Sequence, residues 1–266
     1  MDLIGSLLAI IMGFILGLLG GGGSILTVPI LAYFFGFTAV VATGYSLFVV
    51  GITSLLGSVK YYKEQLIDFK IAALFSIPSM IGVFISRKYF LPMLPEVMTI
   101  GSISLEKNQV IMGLFAMLVL VISGFMFRAK DESSNTSQTK KPLHFRDLLL
   151  ISVGGFLMAC LTGFVGAGGG FIIVPALVLL ARLSLRKAIA TSLVIISFKS
   201  FAGFLGDLLG GLVFDWSFLL NFIMFTMVGV LLGTIFNKRV PVSVLRKGFA
   251  YFVFVMGIFI VLKELL

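Results

Sequence analysis

The sequence predicts an all-α integral membrane protein made of two inverted repeats of about five helical segments each. The first two segments of each repeat form a glycine-bent hairpin with a half-length helix. Three observations carry this reading. The 266 residues are 59% hydrophobic and 12% charged, with a mean hydropathy of +1.18, against roughly 45–50% apolar and 25% charged in soluble domains. The charges collect in short intervals between long apolar runs, the pattern of membrane helices and not of the alternating segments of about ten residues that build a barrel. A glycine-rich stretch also occurs twice, as Gly20-Gly21-Gly22-Gly23-Ser24-Ile25-Leu26-Thr27-Val28-Pro29 and as Gly166-Ala167-Gly168-Gly169-Gly170-Phe171-Ile172-Ile173-Val174-Pro175.

Segment one runs over about 3–19 and meets the first glycine stretch. Segment two, about 24–36, carries Pro29 and is too short to cross a hydrocarbon core that needs about 20 residues; it reads as a half-helix. Segment three (about 40–59) stops at Lys60-Tyr61-Tyr62-Lys63-Glu64, and segment four (about 69–86) stops at Arg87-Lys88. A mildly apolar loop with Pro92 and Pro95 leads to segment five, about 109–127, which ends at Arg128. Residues 128–147 are the only long polar stretch and read as a flexible cytoplasmic linker. It separates an N-terminal transmembrane repeat, 1–127, from a C-terminal one, 148–266, whose segments fall at about 148–164, 170–183, 187–206, 216–234 and 247–263. Met1-Asp2-Leu3 lacks the basic stretch of a cleavable signal peptide, so segment one is expected to be retained.

Residues 17–61 align without a gap onto 163–207, with twelve identities in 45 positions that include Gly17/Gly163, Pro29/Pro175, Ser46/Ser192 and Gly57/Gly203. The match continues one residue out of step through Asp68/Asp215, Phe75/Phe222, Met80/Met227 and Gly82/Gly229. This duplication identifies the repeat unit. Its orientation is set by Lys and Arg. If segments one and two are antiparallel arms of a hairpin, one face of the membrane collects fifteen of them and the other only Arg87, Lys88, Lys107 and Lys263. A single broken helix would divide them evenly. The positive-inside bias therefore selects the hairpin and puts both termini outside. An odd number of crossings per repeat makes the halves inverted copies, as in many secondary transporters.

The chemistry rests on the duplicated residues and on the few that are not. In inverted-repeat transporters, half-helix N-termini meet near the midplane and aim unpaired N–H groups at anionic substrate groups. Ser24 and Gly170 begin the half-helices here, with Gly22, Gly23, Gly168 and Gly169 leading into them. The alternative is that these glycines only permit close helix packing. Lys199 falls well inside the apolar span from Thr191 to Phe204, where buried charge is expensive and usually functional; a membrane-depth cation suits an anionic substrate. Its repeat counterpart is Thr53, and the alternative roles are snorkelling or pairing with Asp207. Ser46 and Ser192 lead a set of hydroxyl and amide groups (Thr43, Ser54, Thr191, Ser197, Ser200, Asn221) that could bind anion oxygens or hydrogen-bond between helices.

Other classes lack their chemistry. One cysteine, Cys160, and one histidine, His144 in the linker, supply neither a disulfide framework nor a metal cluster, and no cofactor is expected. The net charge of +9 is held in loops without an aromatic platform, which points to membrane orientation and lipid contact and not to nucleic acid. ATP-binding motifs are absent, which disfavours a primary pump, and no nucleophile–base constellation suggests an enzyme. Asp68, Asp207 and Asp215 read as interfacial, so an acidic proton relay is not evident.

The two glycine signatures, Gly17 through Pro29 and Gly163 through Pro175, followed by Ala188-Ile189-Ala190-Thr191-Ser192-Leu193, resemble the duplicated signature of the sulfite exporter TauE/SafE family, and the likeness spans nearly the whole chain. The resemblance implies a multi-pass permease of the bacterial inner membrane that moves sulfur-containing anions such as sulfite, sulfoacetate or related organosulfonates, commonly outward. The expected mechanism is alternating access: a small anion docks between the half-helices, Lys199 compensates its charge, Ser46 and Ser192 donate hydrogen bonds, and the halves rock around it. A passive channel for similar anions is the alternative. The coupling ion, H+ or Na+ if either, and the oligomeric state are left open.

Overall fold

The computed structural model describes residues 3–19, 24–100, 103–128, 145–166, 168–236 and 242–265. Gly20 to Gly23 and most of the expected linker, 129–144, lie outside them. Helix α1 (Leu3–Leu19) precedes the short α2 (Ser24–Pro29), which runs on through a π-helical turn, Ile30–Phe34. Long helices α3 (Ala39–Lys63) and α4 (Phe69–Ile85) come next; a second π-helical turn, Ser86–Phe90, carries α4 on into α5 (Leu91–Met93). After strands β1 (Val97–Ile100) and β2 (Ile103–Glu106) come α6 (Lys107–Arg128), α7 (Phe145–Val165), the short α8 (Gly170–Leu179), α9 (Leu185–Leu209), α10 (Trp216–Phe236) and α11 (Val242–Leu265). Five stretches among the described residues are long and apolar enough to cross a bilayer, from Ala39–Lys63 to Trp216–Phe236. Large apolar side chains such as Ile77, Ile81, Met224 and Val228 point outward, as a lipid-facing surface requires. The fold is the helical membrane bundle that the composition predicts, with one short hairpin added.

One interval departs from expectation. The loop expected around Pro92 is instead helical to Met93, with Pro92 at the second position of α5. Beyond it lies an antiparallel hairpin pairing Val97 with Glu106 and Ile100 with Ile103. Gly101-Ser102, set between the β-branched run Val97-Met98-Thr99-Ile100 and Ile103, carries the signal for it.

The repeat is visible in the packing. Helix α1 packs on α10 and α4 on α7, while α3 meets α9 and α6 meets α11; exchanging the halves maps this set onto itself. Individual bonds repeat as well. The Asp68 amide donates to Thr191 Oγ1 at 3.0 Å, and the Asp215 amide donates to Tyr45 Oη at 2.7 Å, although hydroxyl and phenol differ. Each aspartate caps its helix, Asp68 Oδ1 accepting from the Ile71 amide and Asp215 Oδ1 from the Phe218 amide, both at 3.0 Å; such a cap is worth about 1 kcal/mol. Both half-helices end alike: the Phe37 amide donates to Leu31 and the Leu183 amide to Leu177, each at 3.2 Å. The residue before each donor, Gly36 or Arg182, is left-handed, the conformation in which helices commonly stop.

Candidate functional site

The site grows out of the second glycine turn. Gly166, Gly168 and Gly169 have φ of 64°, 63° and 71°, a region that costs a side-chain-bearing residue about 1–2 kcal/mol and glycine nothing. Space requires glycine too. A Cβ at Gly166 would strike Thr43 and come within 2.6 Å of Arg87 Nη2; at Gly168 it would meet Val50; at Gly169 it would lie 2.6 Å from Lys199 Nζ. The Gly169 carbonyl accepts from the Ile172 and Ile173 amides and so starts α8. Helix α8 has ten residues, about 15 Å or half a membrane core. It touches α2, so the two half-helices are in contact.

Lys199 stands near the middle of α9, and its side chain, about 1% exposed, turns inward. Its ammonium donates to Thr162 Oγ1 on α7 at 2.7 Å, and Thr162 Oγ1 in turn donates to the Met158 carbonyl at 2.8 Å. Among the described residues no carboxylate lies within ion-pair distance of Lys199. Neither snorkelling nor pairing with Asp207 describes it; it lies against the backbone of the glycine turn.

Asp207 is equally buried and belongs to Arg87. Arg87 Nη1 lies 3.4 Å from both carboxylate oxygens and donates to Thr43 Oγ1 at 3.0 Å. Asp207, read from the sequence as interfacial, is thus enclosed by the protein, and so is Arg87, at which segment four was expected to stop. The π-helical turn Ser86–Phe90 continues the helix past it and points it inward, toward α3 and α9. Such turns recur at functional sites. Three charged side chains are thus fully buried among the described residues, two basic and one acidic. Buried charge calls for a partner, and the surplus here is basic.

The remaining expected residues divide. Ser46 and Ser54 on α3 and Ser200 on α9 are buried with hydroxyls that lack a partner, and Ser200 Oγ lies 3.5 Å from the Cβ position of Gly168. Ser192 is buried but donates to Ile189 within its own helix at 2.8 Å, so the Ser46/Ser192 pair is not equivalent. Thr191 accepts from Asp68, and Asn221 is exposed, donating to Ser217. Gly22 and Gly23 lie outside the described residues; Ser24 opens α2 and Gly170 opens α8. Thr162 was not among the sequence candidates, since one hydroxyl in an apolar helix carries no signal of its own.

Comparison with known proteins agrees with this architecture. The family model described as "Sulfite exporter TauE/SafE" matches residues 6–260. A "Probable membrane transporter protein" of Xylella fastidiosa (strain 9a5c) is 29% identical over 257 residues, covering 96% of this chain and 92% of the relative. The "Probable membrane transporter protein YunE" of Bacillus subtilis is 29% identical over 254 residues, 87% of each chain. A relative of the same description from Methanocaldococcus jannaschii is 28% identical over 274 residues, covering 96% and 95%. No solved structure matches.

Proposed function

Because the chain belongs to the sulfite exporter TauE/SafE family and is a membrane transporter of that type, we propose that it is a secondary transporter, an exporter-type permease, of small sulfur-containing anions such as sulfite or organosulfonates, working by alternating access. The observation that carries this reading is the surplus of buried basic groups around one glycine turn. Lys199 holds a single hydroxyl at 2.7 Å, and an anion arriving at Gly168 and Gly169 supplies the charge that the protein withholds. The unpartnered hydroxyls of Ser46 and Ser200 are donors available to its oxygens. Lys199 lies two residues past the middle of the 25-residue α9, which favours a site near the midplane. The two halves act as inverted copies about it. The close α1/α10 and α4/α7 contacts tie each half to the other, so the moving bodies are interlocked helix groups and not the contiguous halves.

Counterflow separates a carrier from a channel. Purified protein in liposomes loaded with excess unlabelled sulfite is expected to accumulate labelled sulfite transiently, with a rate that saturates. Flux that rises linearly with concentration and shows no counterflow would make the protein a channel. The Lys and Arg distribution also predicts that both termini face outward and that the linker is cytoplasmic. A cysteine introduced at any position in 131–139, with Cys160 replaced by alanine, is then protected from impermeant thiol reagents in intact cells. Ready labelling there reverses the orientation.

A further inference from the structure

Arg87 is built as more than half of an ion pair. Its guanidinium offers five donors in a fork suited to two oxygens at once, yet only Nη1 is engaged, at 3.4 Å to the carboxylate and 3.0 Å to Thr43. Nε and Nη2 are buried without a hydrogen-bond partner, and so is Asp207 Oδ2. A pair kept for stability alone has every reason to close into the short bidentate geometry that arginine and carboxylate favour, about 2.8 Å; buried donors left open are costly. The space around the pair is built in. A Cβ at Gly44 would lie 3.0 Å from Asp207 Oδ2, one at Gly206 would lie 3.1 Å from Arg87 Cβ, and one at Gly166 would lie 2.6 Å from the open Nη2. Three different elements present a glycine where the pair sits.

The direction of the open donor matters. Nη2 faces Gly166, and Lys199 faces Gly169, three residues on in the same turn. The two buried basic groups therefore flank opposite ends of one glycine turn. Neither is required by the repeat, since Arg87 corresponds to Thr234 and Lys199 to Thr53. Asp207 stands two helical turns beyond Lys199 on α9, toward its C-terminal end.

On the reading that the chain carries anions, we propose that Arg87 is a second anion ligand on the same route, and that Asp207 is the internal carboxylate which the anion displaces from it. The fork takes two oxygens of a sulfite or sulfonate head group, which a halide cannot offer. While the route is empty, Asp207 occupies Arg87 and ties α4 to α9 at this end of the bundle. An anion passing along the turn from Lys199 takes over Arg87 and releases that tie.

The test is thermal unfolding of the purified full-length protein with and without sulfite, in wild type, Asp207→Asn, Arg87→Gln and the double variant. Asp207→Asn is expected to be less stable than wild type without ligand and to gain more from sulfite, with an apparent affinity about tenfold tighter, because the anion replaces the missing carboxylate. Arg87→Gln is expected to lose at least tenfold in affinity. The double variant, with both charges removed and similar shapes kept, elutes as wild type and binds as weakly as Arg87→Gln. Equal loss of affinity in Asp207→Asn and Arg87→Gln, or an unchanged Arg87→Gln, overturns the proposal and leaves a structural ion pair. If sulfite does not stabilise wild type, the sulfite reading fails separately. The same four proteins are then measured with thiosulfate, sulfate and sulfoacetate. The proposal stands if one of these rescues Asp207→Asn and not Arg87→Gln, and falls if none does.

Discussion

Replacing Lys199 with methionine is expected to abolish sulfite binding while leaving the protein as stable as wild type or more so. The two effects have opposite signs because the ammonium does two opposite things. In the empty protein it is a basic group enclosed at the middle of α9 with one hydroxyl partner, Thr162, and no carboxylate among the described residues; methionine fills a similar volume without that burden. In the loaded protein it is the counter-charge of a desolvated anion. Truncating one side of such a pair costs about 2–5 kcal/mol, or roughly 30-fold to several thousand-fold in affinity. Isothermal titration of the purified variant, paired with its melting curve, reads both. Unchanged affinity removes Lys199 from the site; a collapsed melting curve with lost affinity makes it a structural residue. Lys199→Ala is expected to lose binding equally but to melt lower, since it leaves a cavity between α7 and α9.

Lys199 was legible because it breaks a long apolar run far from either end. Arg87 and Asp207 were not, although they are buried to the same degree. Arg87 is followed by Lys88 and Tyr89, and Asp207 by Gly210 and Gly211, so each looks like punctuation at the end of a span. What turns them inward is long-range: a π-helical turn that prolongs α4, and the packing of α4 on α9, which brings together residues 120 positions apart. A weak signal did exist, since both are charged residues whose repeat partners, Thr234 and Tyr61, are not. The half-helices, the duplication and the helical membrane class were readable because they rest on local composition and on glycine and proline at fixed spacing. Thr162 gains meaning only when the turn at Gly169 sets Lys199 against it. The hairpin at 97–106 was readable in principle, but it sits between proline and the next apolar run, where loop composition dominated.

The largest effect on the fold is expected from a single methyl group at Gly229. A Cβ there would collide with the Ile10 carbonyl of α1, and Gly233 stands in the same way against Phe14 one turn on. From the other side, Gly13 and Gly17 press on the Thr226 and Val230 carbonyls. These four glycines let the two backbones touch, and in lipid such packing is what holds helices together, because no hydrophobic force drives one apolar helix against another. Backbone cannot yield as a side-chain end can, so Gly229→Ala is expected to exceed the roughly 1–3 kcal/mol usual for overpacking and to prevent recovery of monodisperse protein in detergent. Gly113→Ala is the control. That residue lies in α6 with nothing within 4 Å of its Cβ position, and alanine there gains up to about 1 kcal/mol of helix propensity. The repeat adds a second arm. Gly82, the counterpart of Gly229, places its Cβ position 2.7 Å from the carbonyl of Phe156, itself the counterpart of Ile10. Gly82→Ala must therefore fail in the same manner if the halves pack as copies. A Gly82→Ala protein that melts like wild type while Gly229→Ala is lost would show that α1/α10 and α4/α7 are unequal in strength, and that the two-fold relation of the sequence does not extend to the energetics of the bundle.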